Sequence, residues 1–339
     1  MILEQIEEYF NNEHNDIFSE KQKKSLDISF LINLHRSQIF VFEGKAKTPA
    51  CVAKFYEKIN EKEAKIKFEN LIFLKSKLND RLKKTIPDPL LFEDRGGHIL
   101  FIESMLTGEK IPEMVKRHPN FLFRNMLSDY FDDVIDWLIM FHKETQSCEV
   151  KFTHEQRKEY LLAPIAYFTE HTTLSEIETK YFENFIKKTD MIIGKKIPLV
   201  CCHGDFWTEN IIYDKNRIGV VDWGGMLKNQ PPFFDLFMFI SSWRFPFNGS
   251  GSQSLELKSF KFSFIDKNWF SAMLQKIINR YMLAMDIELR ALNIFFPVFL
   301  IKKYLQVKAE RHPCFSWKSW RELISFYIEN ETKVYRTLI

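Results

Sequence analysis

The chain of 339 residues lacks several features that would mark a function class. It has only five cysteines: Cys51, Cys148, Cys201, Cys202 and Cys314. The number is odd and no CxxC pair occurs, so neither a zinc-binding set nor a disulfide framework is readable. Reduced thiols, and with them a cytoplasmic location, are the expectation. Cys201 and Cys202 follow the apolar run Ile197-Pro198-Leu199-Val200 and read as small buried strand residues rather than reactive thiols. Apolar runs are short; stretches such as 294–301 fall well below a bilayer span. The first eight residues are acidic and amphipathic, without a basic n-region or an apolar h-region, so no signal peptide is expected. Charge of one sign is not in excess: 48 Lys and Arg stand against 45 Asp and Glu, a net of +3. That balance calls for neither nucleic acid nor an acidic membrane as partner. Internal repeats and low-complexity tracts are missing too.

What is present begins with composition. Hydrophobic residues make up 45% and charged residues 27%, ordinary for a globular protein with a substantial core. The 34 Phe predict that this core is heavily aromatic. Three strands are predicted at 28–32, 38–42 and 50–56, separated by the polar turns 33–37 and 44–49. A charged helix over 60–80 follows, with Phe68, Leu71, Ile72, Leu74 and Leu78 as its apolar stripe. Pro87-Asp88-Pro89 breaks the chain, and two more strands are expected at 90–93 and 98–103. After Gly108 the pattern turns helical, over 112–145, 154–193 and from 233 onward. One strand–loop–strand segment, 197–222, interrupts it. The stretch 245–252 reads as a loop.

That interrupting segment carries the most specific polar sequence. An apolar strand ends in His203-Gly204-Asp205; Asn210 lies five residues on; a second strand pair ends in Asp222-Trp223-Gly224. Phosphoryl transfer needs a carboxylate within reach of the attacking hydroxyl, and oxygen ligands for the hard cation that neutralises the phosphates. A loop of the form Asp-x-x-x-x-Asn followed by a hairpin with a second Asp supplies both. A simple turn residue at Asp205 and a core histidine at His203 would be the plain alternative, but it gives no reason for Asp205, Asn210 and Asp222 together.

The segment resembles the aminoglycoside phosphotransferase and choline kinase group, whose motif is His-Gly-Asp-x-x-x-x-Asn and then a strand ending in Asp-Trp. The match covers 199–240, with Pro231-Pro232-Phe233-Phe234-Asp235-Leu236 similar to the family's Pro-x-x-Asp-Leu step. The resemblance implies an α+β, two-lobed protein-kinase-like fold: a small antiparallel-sheet lobe with one helix, then a larger, mainly helical lobe. Residues 1–103 would form the nucleotide-binding lobe, with 1–27 as a helical extension, and 104–108 the hinge. Residues 109–339 would form the helical lobe, with catalytic loop 203–210, metal-binding segment 222–225 and substrate-side helices at the end. Asp205 would be the general base or hydroxyl-orienting residue, and Asn210 and Asp222 would hold Mg²⁺. His203 and Asp235 would brace the loop, and Trp223 reads as core.

The same resemblance implies ATP as donor. Val52-Ala53-Lys54 lies on the third predicted strand, where a Val-Ala-x-Lys pattern places the phosphate-gripping lysine, one residue shorter. Glu69 in the next helix would hold Lys54, with Glu63 next in line and Glu57 and Glu61 also nearby. Glu103 and Met105 would offer backbone groups to adenine. The loop 33–37 departs from the pattern, having no glycine. Phosphate cover would then fall to backbone N–H groups or to Ser37. Over 233–339 Lys and Arg outnumber Asp and Glu by 15 to 9, which disfavours polycationic acceptors and suits neutral or anionic hydroxyl compounds. The expected partner is a small-molecule hydroxyl acceptor. A nucleotide-binding regulatory pseudokinase is the alternative. An atypical protein kinase fits less well, because the stretch between Asp222 and Pro231 is too short for a peptide-binding activation loop.

Overall fold

The computed structural model describes residues 27–33, 37–43, 49–112, 114, 120–147, 151–214, 217–243, 254–310 and 316–338. The expected helical extension lies outside the described residues except for Asp27, which opens a strand. So do most of the glycine-free loop (34–36), the loop expected at 245–252, Cys148 and Cys314. The chain divides into two compact units: residues 1–113 with 210–225, and residues 114–209 with 226–339. The segment 210–225 had been expected with the helical part; it belongs to the first unit.

The first unit is a five-stranded antiparallel sheet in the order β1-β2-β3-β5-β4. Its strands are β1 (Asp27–Asn33), β2 (Ser37–Glu43), β3 (Pro49–Glu57), β4 (Pro89–Arg95) and β5 (His98–Ser104). Between β3 and β4 come α1 (Glu61–Lys77) and the short α2 (Asp80–Lys83). Helix α1 buries Ala64, Leu71 and Leu74, and Leu78 is buried just past its end. Phe68 packs on Phe92 and Phe101 of the sheet, at 5.4 and 5.8 Å between ring centroids. Ile72, expected in that stripe, is 48% exposed: it follows Leu71 by one residue, about 100° round the helix.

A second small sheet in this unit joins β6 (Glu109–Lys110), β8 (Ile211–Asp214) and β9 (Arg217–Val220). Val220 N donates to Thr85 O at 2.8 Å and ties that hairpin to the turn after α2.

The second unit holds β7 (Val200–Cys202) paired with β10 (Leu227–Gln230), and the remaining described helices. These are α3 (Asn120–Thr145), α4 (His154–Arg157), α5 (Ala163–Glu170), α6 (Glu176–Lys188), α7 (Phe233–Ser241), α8 (Leu255–Phe264), α9 (Trp269–Ala284), α10 (Leu292–Glu310) and α11 (Trp317–Leu338). The aromatic core foreseen from composition is here. Phe131, Phe141, Phe206, Phe237, Phe239 and Phe296 are fully buried, and ring pairs such as Phe233–Phe295 (4.3 Å) and Phe131–Phe239 (4.7 Å) knit α3, α7 and α10 together. Cys201 and Cys202 are buried free thiols in β7, as their apolar setting implied. Burial pushes the Cys202 thiol well above the ordinary thiol range and makes it unreactive. Among the described residues no helix is long and apolar enough to cross a membrane.

Candidate phosphotransfer site

The loop bearing Asp205 leaves β7 and is anchored on both sides. Asp235, fully buried on α7, accepts from the backbone N–H of His203 (2.6 Å) and of Gly204 (2.9 Å). Gly204 has φ +82°, a left-handed turn that glycine adopts without strain and other residues rarely do. The His203 ring turns back so that Nδ1 accepts from Asp205 N at 3.2 Å. On the far side Phe206 is fully buried and stacks on Trp137 at 5.5 Å and 13°. A carboxylate aimed from a loop pinned this way loses little entropy on meeting a ligand. The Asp205 side chain itself keeps 29% exposure.

Behind this loop His142, Cys202 and Asp235 place ligand-type atoms within 4.8 Å of one another, all buried. Their bonds make them a brace. Asp235 is committed to two backbone N–H groups, Cys202 Sγ donates to Pro231 O at 3.6 Å, and Tyr281 Oη, which donates to Pro232 O at 2.8 Å, lies 2.5 Å from His142 Nδ1.

In the first unit Asn210 and Asp222 flank the open end of the β8–β9 hairpin, where Ile211 pairs with Val220. Val221 N donates to Asn210 O at 3.0 Å and closes that end. Asp222 has φ +63°, a conformation that aspartate tolerates better than most residues. Trp223, next in line, is buried and donates from Nε1 to Val220 O, a core role as its sequence context implied. A carboxylate and an amide oxygen at one hairpin end suit a hard divalent cation.

Two lysines serve this unit. Lys54 on β3 is buried, and its Nζ lies 2.5 Å from Glu103 Oε1 on β5. Phe101 is opposite Lys54 and Glu103 opposite Val52, so lysine and glutamate are diagonal neighbours on one face. Burial is the largest single influence on Lys54 and works against its charge, but Glu103, Tyr56 and Asp222 together outweigh it, and its pKa stands above the ordinary lysine value.

Glu69, expected to hold Lys54, does not. It is exposed on the outer face of α1, and its nearest cation is Lys65 at 3.9 Å. The inward polar position of α1 is instead Lys67, about 200° away round the helix. Lys67 Nζ lies 3.1 Å from Asp222 Oδ1 and 3.4 Å from Glu63 Oε1. Burial opposes its charge, while Asp222, Tyr56 and Glu63 raise its pKa well above the ordinary value. Gly224 leaves room for the Lys67 stem, since a Cβ there would stand 2.6 Å from Cε. Asn70, one turn on, donates to Trp223 O at 2.8 Å. Of the other nucleotide-side expectations, Ser37 opens β2, Glu103 is buried by its bond to Lys54, and Met105 follows the end of β5.

One residue of the second unit was missed altogether. Lys303 on α10 is 1% exposed, and its Nζ lies 3.3 Å from Asp205 Oδ1 and 3.2 Å from Gln306 Oε1. The signal for it was in the sequence. Phe296, Phe299, Leu300 and Val307 are buried at helical spacing, and position 303 falls on that stripe. A lysine at a core position wants a partner.

A family model described as a phosphotransferase enzyme family matches residues 54–256, more than half of the chain. The chain belongs to that phosphotransferase family. The matched span contains Lys54, Asp205, Asn210, Asp222 and Asp235. No curated protein matches the sequence. Among solved structures, the aminoglycoside phosphotransferase APH(4)-Ia, crystallised as a thermostable mutant in ternary complex with ADP and hygromycin B, is 12% identical with a TM-score of 0.53. The alignment covers 92% of this chain and 95% of that one. A second ternary complex of that phosphotransferase, with AMP-PNP and hygromycin B, gives a TM-score of 0.52 at the same identity and coverage. A choline/ethanolamine kinase family protein from Mesorhizobium loti is 14% identical with a TM-score of 0.47, covering 100% of this chain and 99% of that one. The phosphotransferase fold here is therefore protein-kinase-like, with a small antiparallel-sheet unit and a mainly helical one.

Proposed function

We propose that this phosphotransferase moves the γ-phosphate of ATP to a hydroxyl of a small molecule. The observation that carries the reading is the anchored loop at Asp205. Asp235 fixes the backbone before it, Trp137 fixes Phe206 after it, and a partly exposed carboxylate is left between them. Asp205 accepts a hydrogen bond from the acceptor hydroxyl, orients its oxygen for attack and takes up the proton as the oxygen–phosphorus bond forms. Lys54, paired with Glu103, binds phosphate oxygens. Asn210 and Asp222 are the oxygen donors that would hold Mg²⁺, which when bound supplies charge neutralisation of the triphosphate. Ser37 and backbone groups near Glu103 and Met105 are assigned to the nucleotide, and His203 and Asp235 to support of the loop.

The acceptor is a neutral or anionic hydroxyl compound, such as a sugar or another metabolite, rather than a polycation of the aminoglycoside kind. The location is the cytoplasm, consistent with free buried thiols.

A second reading, a nucleotide-binding regulator without turnover, is favoured by one feature. The Lys67 ammonium already sits on Asp222, where a cation would have to bind. Release of ADP from MgATP across sugars, amino alcohols, aminoglycosides and nucleosides separates the two. Turnover with one acceptor class supports the kinase; Mg-dependent ATP binding with no turnover supports the regulator.

A further inference from the structure

Lys303 is an unusual residue to keep in a helical core. Its ammonium is almost wholly withdrawn from water, and among the polar atoms beside it Asp205 Oδ1 and Gln306 Oε1 stand at 3.3 and 3.2 Å. The cost of withdrawing a lysine from water can exceed the Coulombic return, and apolar replacements of buried ion pairs are often neutral or stabilising. Phe296, Phe299, Leu300 and Val307 on the same stripe show that an apolar side chain would suit position 303. The neighbouring Lys302 lies over the Phe234 ring at 5.8 Å. A lysine in a helical core, 3.3 Å from the carboxylate proposed to orient the acceptor, calls for a role in that reaction.

We propose that Lys303 is a positioning residue for Asp205 and a determinant of acceptor class, an assignment that rests on the kinase reading above. By holding Oδ1 it restricts rotation of the Asp205 carboxylate about χ2, so that the group meets the acceptor hydroxyl in one orientation. By setting a positive charge against that carboxylate it cancels the attraction a lone aspartate would exert on cations. Acceptors with an ammonium group beside the reacting hydroxyl are therefore disfavoured, and hydroxyls flanked by neutral or anionic groups are accepted.

The test uses the full-length protein with Lys303→Met and Lys303→Ala. Methionine keeps the length and packing without the charge. The expected Met variant melts no lower than wild type, binds MgATP as wild type does, and has kcat reduced about a hundredfold, the scale of a misplaced catalytic group, with KM for MgATP little changed. Its residual activity shifts toward amino-bearing acceptors relative to amino-free ones. In the Ala variant, propylammonium, which replaces the deleted part of the side chain, restores turnover, whereas 1-propanol of the same shape does not. A Met variant with wild-type kcat and wild-type acceptor preference overturns the proposal, as does equal rescue by the alcohol. Failure of the wild type to bind MgATP, or to phosphorylate any acceptor, overturns the kinase reading itself and this assignment with it. Wild-type turnover alongside a Met variant of undiminished kcat and unchanged acceptor preference overturns only the part given to Lys303.

Discussion

At the scale of single residues, the site is a set of charges whose partners decide what they can do. Lys54 is paired with Glu103, and Glu69 plays no part in that pair. Glu103→Gln should therefore destabilise the protein by on the order of 2 kcal/mol, the cost of leaving a buried ammonium with a weaker partner. Glu69→Gln, on an exposed helix face, should fall within about 0.5 kcal/mol of wild type. Chemical denaturation of both variants checks this, and equal effects would contradict it. Lys67 predicts a different readout. It neutralises Asp222, so Lys67→Met should tighten Mn²⁺ binding in the presence of nucleotide by roughly fivefold, the worth of about 1 kcal/mol for a partly exposed pair. Titration followed by electron paramagnetic resonance measures it, and weaker binding would show that Lys67 assists the metal rather than competing with it.

At the scale of elements, legibility followed pattern. The strands of the first sheet were readable because short runs rich in β-branched and aromatic residues are bounded by polar turns. The block from His203 to Asp235 was readable because five residues at fixed spacing share one chemistry. The ion pairs of Glu103, Lys67 and Lys303 were not foreseen, Glu103 having been read only for its backbone, because each pair depends on which strand or helix lies alongside. Glu103 needed the β3–β5 register, Lys67 needed the hairpin end at Asp222, and Lys303 needed α10 to pass behind the loop.

Helix pairing also carries its own prediction. Glu178, at the start of α6 and nearly buried, takes a fork of two bonds from Arg321 on α11 (2.6 and 2.7 Å) and one from Ser325. Burial alone would raise its pKa, but Arg321, the Ser175 N–H and Ser325 together lower it to about 2. A depressed carboxylate stabilises the fold above its unfolded pKa and loses that contribution as pH falls through its folded one. Between about pH 4.5 and 2, wild type should lose stability that Arg321→Met has already lost at neutral pH. Unfolding curves of the two proteins should converge on acidification; a constant gap would contradict the assignment.

At the scale of the whole molecule, the chain contributes to its two units in alternation. It leaves the first at Glu113, builds most of the helical unit, returns over 210–225, and goes back. The return places the proposed metal donors, Asn210 and Asp222, in the unit that holds Lys54 and Lys67, while Asp205 belongs to the unit with Asp235 and Lys303. The functions should divide along the same line. Asp222→Ala should abolish the Mg-dependence of ATP binding, as read by calorimetry with and without Mg²⁺, and Asp205→Ala should leave nucleotide affinity largely intact. Mg-dependent binding that survives Asp222→Ala would remove Asp222 from the metal site.

The most direct measurement is ADP release by the purified protein with MgATP and a mixed panel of hydroxyl acceptors, run beside Asp205→Ala. The account predicts acceptor-dependent turnover in the wild type, favouring neutral or anionic acceptors, and its loss in the variant by at least about a hundredfold. Wild-type rates in the Asp205→Ala protein would contradict it.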